Sequence, residues 1–283
     1  MKLKYLFVLS LSVWLAACKS ATPLAPAPTI LVESPTSSTA ATIVPTLPAV
    51  ETLPVLPAAT VASQPEEAIL ISEPGPGSRV TSPIHIEGMA DSTFEQNLVV
   101  QVVNAEGAQL AVSPVTIQAE LGQRGPFAID MPVQVSGEQP LFVQVSASSP
   151  RDGGITHLAS VVVYMVESGQ VDVRRMEPRP EQIQILSPVV GQTLSGGIVT
   201  VEGYGWASFE QNLVIELYDE QGKLLAQQPI IVESPEMGQP GPFQAELEYT
   251  LAAPGAGRIV ARDPSVAFAG DVHLSSVEVR LEP

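Results

Sequence analysis

The sequence predicts an all-β protein built from two tandem β-sandwich domains that follow a disordered Pro/Ser/Thr/Ala-rich tether. Three observations predict it. The hexapeptide Phe94-Glu95-Gln96-Asn97-Leu98-Val99 returns unchanged as Phe209-Glu210-Gln211-Asn212-Leu213-Val214, and the offset of 115 residues, 116 after one inserted residue from Gly125/Gly241 onward, aligns most of the sequence around it. Within each copy, short runs of Val, Ile, Leu and Phe alternate with Pro, Gly and Asn clusters, and none shows a helical period. Ahead of both copies, the composition shifts to proline and small polar residues.

The N-terminus reads as a secretory signal. Lys2 and Lys4 precede an apolar run from Tyr5 to Ala17, which is too short to span a bilayer comfortably, so cleavage is expected and residues 1–17 are assigned as a signal peptide. Leu15-Ala16-Ala17-Cys18 resembles the lipobox of bacterial lipoproteins, which implies that Cys18 is acylated and becomes the new N-terminus. Acyl chains on one residue anchor a protein stably without a spanning helix. Lys19 stands where an Asp resembles an inner-membrane retention signal, so the address leans outward.

The next segment, 18–67, is expected to be a tether. Nine prolines lie between Lys19 and Glu67, and only Lys19, Glu33, Glu51, Glu66 and Glu67 are charged there. Prolines at that density remove backbone donors and resist both helix and sheet. Such a tether reaches up to about 150 Å as polyproline II, or about 40 Å as a coil. Removal of Lys2 and Lys4 leaves 11 basic residues against 30 acidic ones, a formal charge of 11 − 30 = −19. That balance excludes nucleic acid as a partner and leaves membrane association to the acyl chains alone. No cysteine other than Cys18 exists, so core packing must hold the domains without a disulfide.

Domain 1 is expected over 68–166 and domain 2 over 182–283, with a linker at 167–181. In the first copy, strands are expected at 69–72, 84–87, 98–103, 115–119, 127–131, 141–146 and 158–165. In the second they are expected at 183–186, 198–202, 213–218, 224–231, 243–249, 257–262 and 274–281. In Val277-Glu278-Val279-Arg280-Leu281 apolar and charged residues alternate, so they must face opposite sides of a sheet. A unit of about a hundred residues buries roughly 65% of its unfolded surface, enough to fold independently. The linker carries Arg174, Arg175 and Arg179 and reads as a solvated hinge.

These elements resemble a known family. Leu186-Ser187-Pro188, Gly203, Phe209-Glu210, Gly222 and Gly241-Pro242-Phe243 follow the pattern of the immunoglobulin-like domain family associated with bacterial spore-germination proteins. The first copy matches it with Gly88, Phe94-Glu95, Gly107 and Gly125-Pro126-Phe127, and its Ser72-Glu73-Pro74 departs by one inserted residue. The resemblance implies two extracytoplasmic immunoglobulin-like β-sandwiches and supplies no catalytic residues.

The candidate site residues divide into shared and unshared positions. Phe94 and Phe209 are expected to plug the sandwich ends, because burying a Phe contributes about 1.5–3 kcal/mol. Glu95 with Asn97, or Glu210 with Asn212, supplies too few oxygens for calcium. His157 and His273 stand at equivalent positions in separate domains with no accompanying ligand, so they read as structural, and no metal or cofactor is expected. No Gly-x-Ser-x-Gly elbow or phosphate-binding loop is present, so no catalytic residues are assigned and the protein is read as a non-enzyme. Where the copies differ, Met89 aligns with Tyr204, Asp91 with Trp206 and Asp152 with Phe268, which makes Tyr204, Trp206 and Phe268 the expected binding surface. The function expected is a lipid-anchored envelope protein presenting its domains to a protein or cell-wall partner. The alternative is a spacer or assembly subunit without a specific ligand, in a germination-related setting.

Overall fold

Alternation decides the strands, and it is clearest at β14 (Gly241–Glu248), where every second residue is buried and Phe243, Ala245 and Leu247 point into the core. The computed structural model describes residues 64–167 and 169–283. The signal peptide, Cys18 and the tether up to residue 63 lie outside the described residues. Among the described residues no helix is long and apolar enough to cross a membrane.

Each copy is a sandwich of two antiparallel sheets. In the first, β1 (Ile69–Glu73), β3 (Ile84–Ala90) and β6 (Gly125–Met131) form a three-stranded sheet in the order β1-β3-β6. It packs on β5 (Gln109–Thr116), β4 (Asn97–Val103), β7 (Gln139–Ser148) and β8 (Ile155–Met165), with the short β2 (Ser78–Val80) running parallel to the end of β8. The second copy repeats this. β9 (Ile183–Ser187) and β11 (Ile198–Gly205) join β14, facing β13 (Leu224–Ile231), β12 (Asn212–Tyr218), β15 (Gly255–Pro264) and β16 (Asp271–Leu281), with β10 (Thr193–Leu194) beside β16. The β5 strand begins six residues before the expected position, because Gln109 to Thr116 continue the β4 ladder directly after the Gly107 turn.

Each core has a Phe at its centre. Phe127 and Phe243 are buried, and their rings lie over Gly88 and Gly203 on the neighbouring strand. A Cβ at Gly203 would sit 2.0 Å from the Phe243 ring, so the glycine and the Gly-Pro-Phe of the repeat are one packing unit.

The hexapeptide behaves otherwise than expected. Phe94 is 59% exposed and Phe209 43%, so neither plugs a sandwich end. The cause is local: Glu95, Gln96, Glu210 and Gln211 all adopt left-handed φ, and this pair of reversals turns Gln96 inward in place of Phe94. Buried Gln96 donates to the carbonyls of Glu120 at 2.8 Å and Gln123 at 2.9 Å, closing the loop below it.

The two sandwiches are fused. Strand β16 pairs antiparallel with β8, matching His273 to Ala159, Leu274 to Leu158 and Ser275 to His157, so the larger sheets become one ten-stranded sheet. Because residues 157–159 correspond to 273–275 in the repeat, this register is symmetric about the Leu158–Leu274 pair. The fusion explains why Leu141–Ala147 and Gly257–Ala261 are buried almost continuously: one face meets its own core and the other meets the neighbouring domain.

Nor is the linker a solvated hinge. Gly75 N donates to Arg174 O at 2.7 Å, Met176 N donates to Ser72 O at 2.8 Å, and Arg175 pairs with Glu73 at 2.6 Å and Glu87 at 3.2 Å. Arg175 and these backbone hydrogen bonds strap it along domain 1.

Candidate interdomain site

The seam between the domains concentrates the polar chemistry of the molecule. Two chain segments meet beside it: Glu181 N donates to Pro65 O at 2.8 Å and Glu67 N donates to Arg179 O at 3.1 Å. This short ladder turns the Glu67 and Glu181 carboxylates inward, toward the first residues of the paired strands. There His157 of β8 and His273 of β16 stand edge to face, with ring centroids 5.0 Å apart.

Glu181 bridges them. Its Oε1 lies 2.6 Å from His273 Nε2, and its Oε2 accepts from Ala68 N at 2.8 Å and lies 3.5 Å from His157 Nε2. Glu67 Oε1 lies 4.0 Å from His273 Nδ1 and 2.9 Å from an Arg179 nitrogen. Burial pulls the His157 imidazole down to about 4, so it is neutral at pH 7. Burial works to raise Glu181, but the His273 hydrogen bond and the two imidazoles outweigh it and hold the carboxyl at about 2. Burial also raises Glu67, against the pull of His273 and Arg179. Nearby, Asp263 is pushed up to about 6 by burial, although it accepts from Ser208 N and Oγ, both at 2.9 Å, and from Gln182 Nε2 at 3.0 Å.

His157 and His273 therefore do not stand apart in separate domains, as the sequence reading had them. Their equal positions in the repeat were the available signal, since antiparallel pairing of equivalent strands brings equivalent residues together. With Glu181 they bring two nitrogens and a carboxylate oxygen within 4.8 Å of one another, a donor set able to hold a cation.

Two related clefts flank this seam. One, of about 240 Å³, is lined by Asp91, Ser149, Thr156, His157 and Glu278. Its counterpart, about 480 Å³, carries Trp206, Ser265 and Val272 at the equivalent positions, with Phe142, Tyr164 and Phe268 making it apolar. Trp206 is half-buried in this wall, and Phe268, 5% exposed, stacks on Phe142 with centroids 4.0 Å apart. Tyr204 is not with them. It lies in β11 opposite Gln184 and Pro242, on the outer face of the small sheet.

At the opposite end of the seam the residues equivalent to Phe142 and Phe268 are Arg258 and Asp152. They form an ion pair at 2.7 Å with side chains only 4% and 3% exposed. Burial works to raise Asp152, but Arg258 and the Gly154 amide hold it below its usual value. A Cβ on Gly154 would fall 1.9 Å from an Arg258 nitrogen, so any larger residue there would push the guanidinium away from its place against Asp152.

Two sandwiches with this strand order are immunoglobulin-like domains. The chain matches the family described as the immunoglobulin-like domain of bacterial spore germination at residues 68–154 and 182–267, and it belongs to that family. No curated protein sequence matches it. Among solved structures it is similar to latent PorU from Porphyromonas gingivalis (13% identity over 77% of this chain and 20% of that one, TM-score 0.26). It is also similar to red sea bream transglutaminase (9%, 75% and 31%, TM-score 0.26) and to the Ig1-2 module of the Drosophila receptor protein tyrosine phosphatase DLAR (12%, 77% and 100%, TM-score 0.22). The chain spans a fifth of the first of these and about a third of the second. At these scores the likenesses carry no argument about function.

Proposed function

We propose that this chain is a non-catalytic, lipid-anchored envelope protein that presents a fixed pair of immunoglobulin-like domains to a protein or cell-wall partner. The observation that carries the reading is the apolar cleft beside the seam, where Trp206, Tyr164, Phe142 and Phe268 meet although the equivalent cleft holds Asp91 and His157. Aromatic residues in a preformed cleft are the usual anchors of recognition. Family membership supports the non-catalytic part, and the Leu15–Cys18 lipobox supports anchoring through acyl chains on Cys18. The tether would set the distance between membrane and cleft.

The test is a pull-down from envelope extract with the full chain and with Trp206→Ala. A saturable partner lost in the variant, with unfolding unchanged, is expected. If no saturable partner is found, the spacer reading replaces this one. The mass of the mature protein and its loss of membrane partition in Cys18→Ser test the anchor separately.

A further inference from the structure

Each domain contributes one histidine to the seam, and the linker contributes the carboxylate between them. We propose that His157, Glu181 and His273 form an interdomain site for a divalent transition-metal ion, zinc by its donor set, with a fourth position open to water from the cleft beside Asp91.

The donor chemistry fits. Two imidazoles and a carboxylate with one open position are a common zinc set, with bonds of about 2.0–2.2 Å that place tetrahedral donors roughly 3.3 Å apart. The three donor atoms lie within 4.8 Å of one another, and His157 Nε2 is 3.5 Å from Glu181 Oε2. The one closer contact, 2.6 Å between His273 Nε2 and Glu181 Oε1, is a hydrogen bond whose proton the metal would displace; the carboxylate would move by about 1 Å, and donors up to 4.8 Å apart would close toward about 3.3 Å.

A second, independent observation points to a missing partner. His157 Nε2, His273 Nδ1 and Glu67 Oε2 are enclosed without a hydrogen-bond partner, while Glu67 Oε1 pairs with Arg179, and the His273 side chain is only 1% exposed. Enclosed polar atoms of this kind cost stability unless something satisfies them. An ion would engage His157 Nε2 directly. It would also fix His273 with its Nδ1–H toward Glu67, the arrangement in which a carboxylate behind a ligating imidazole raises its basicity. The cleft of about 240 Å³ that His157 lines, bordered by Asp91 paired with Arg124 and by Glu278 beside Arg151, gives a cation a path inward. Bound there, the ion would tie both domains and the linker together.

His85 provides an internal control, because it also stands beside carboxylates, Asp130 at 2.7 Å and Glu87 at 3.6 Å, but its side chain is 54% exposed. The full chain, stripped with a chelator, is titrated with Zn²⁺ by calorimetry and with Co²⁺ by visible absorption. One ion per chain, a tetrahedral Co²⁺ spectrum and a Tm raised by Zn²⁺ are expected. His157→Ala should weaken binding at least tenfold, Glu67→Gln about 10- to 100-fold, and His85→Ala not at all. Near-ultraviolet dichroism without metal confirms the fold of each variant. If His157→Ala does not fold, the Co²⁺ spectrum of the wild-type chain and the His85→Ala titration decide. Absence of saturable binding, an octahedral spectrum, or loss of binding in His85→Ala would overturn the proposal.

Discussion

Replacing Asp152 by alanine isolates the energetics of the seam. The Arg258–Asp152 contact is 2.7 Å long and almost wholly enclosed, with a further contact of 5.8 Å from the guanidinium to the Tyr218 ring. At that separation and an effective dielectric of about 20, the attraction is roughly 6 kcal/mol. Desolvation of several kcal/mol for each ion cancels most of it, so the pair contributes little net stability. Asp152→Ala removes the attraction while leaving Arg258 enclosed, and should cost about 3–5 kcal/mol. The molecule supplies its own control, because Phe142 and Phe268 occupy the equivalent positions at the other end of the seam. The double variant Arg258→Phe/Asp152→Phe should therefore lose much less than Asp152→Ala. Urea unfolding followed by circular dichroism measures both, and the two single Phe variants complete a double-mutant cycle. A cost below about 1 kcal/mol for Asp152→Ala, or a double variant as unstable as the sum of its singles, would refute the reasoning.

The same pair makes the seam acid-sensitive. Asp152 is depressed below 3.8, so its contribution is complete above that pH and is lost as pH falls through the lower folded value; unfolding curves of wild type should weaken there more than those of the double Phe variant. Gly154→Ala drives a methyl group against Arg258 and should cost about 1–3 kcal/mol by thermal unfolding. In the repeated hexapeptide, Gln96→Ala should cost about 1–3 kcal/mol by leaving the Glu120 and Gln123 carbonyls without their donor, whereas Phe94→Ala should stay within about 0.5 kcal/mol by the same measurement.

Strand positions were legible because a half-buried sheet writes itself as alternation, as at Phe243, Ala245 and Leu247, and because duplication tested every assignment twice. The loop at Phe94 was not, since consecutive left-handed residues at Glu95 and Gln96 leave no compositional mark when neither is glycine. Tyr204, Trp206 and Phe268 were all singled out by comparing the copies; Trp206 and Phe268 line one cleft, but Tyr204, aligned with Met89 in the repeat, sits within β11 on the outer face. The histidine pair left one signal, its equal positions in the repeat, but Glu67 and Glu181 come from segments read as tether and linker, and only the β8–β16 register brings the imidazoles together.

The symmetric register at Leu158 and Leu274 has a consequence for what each end of the seam can become. Two identical chains joined by this pairing would present the same residues at both ends of the contact, so an arginine or a phenylalanine at one end would recur at the other. Covalent linkage removes that constraint. Each end can then change without the other, which permits a charged clamp at Arg258 and an aromatic recess at Phe142 within one repeated frame. A pair of separate, identical subunits could carry either feature twice, but not one of each.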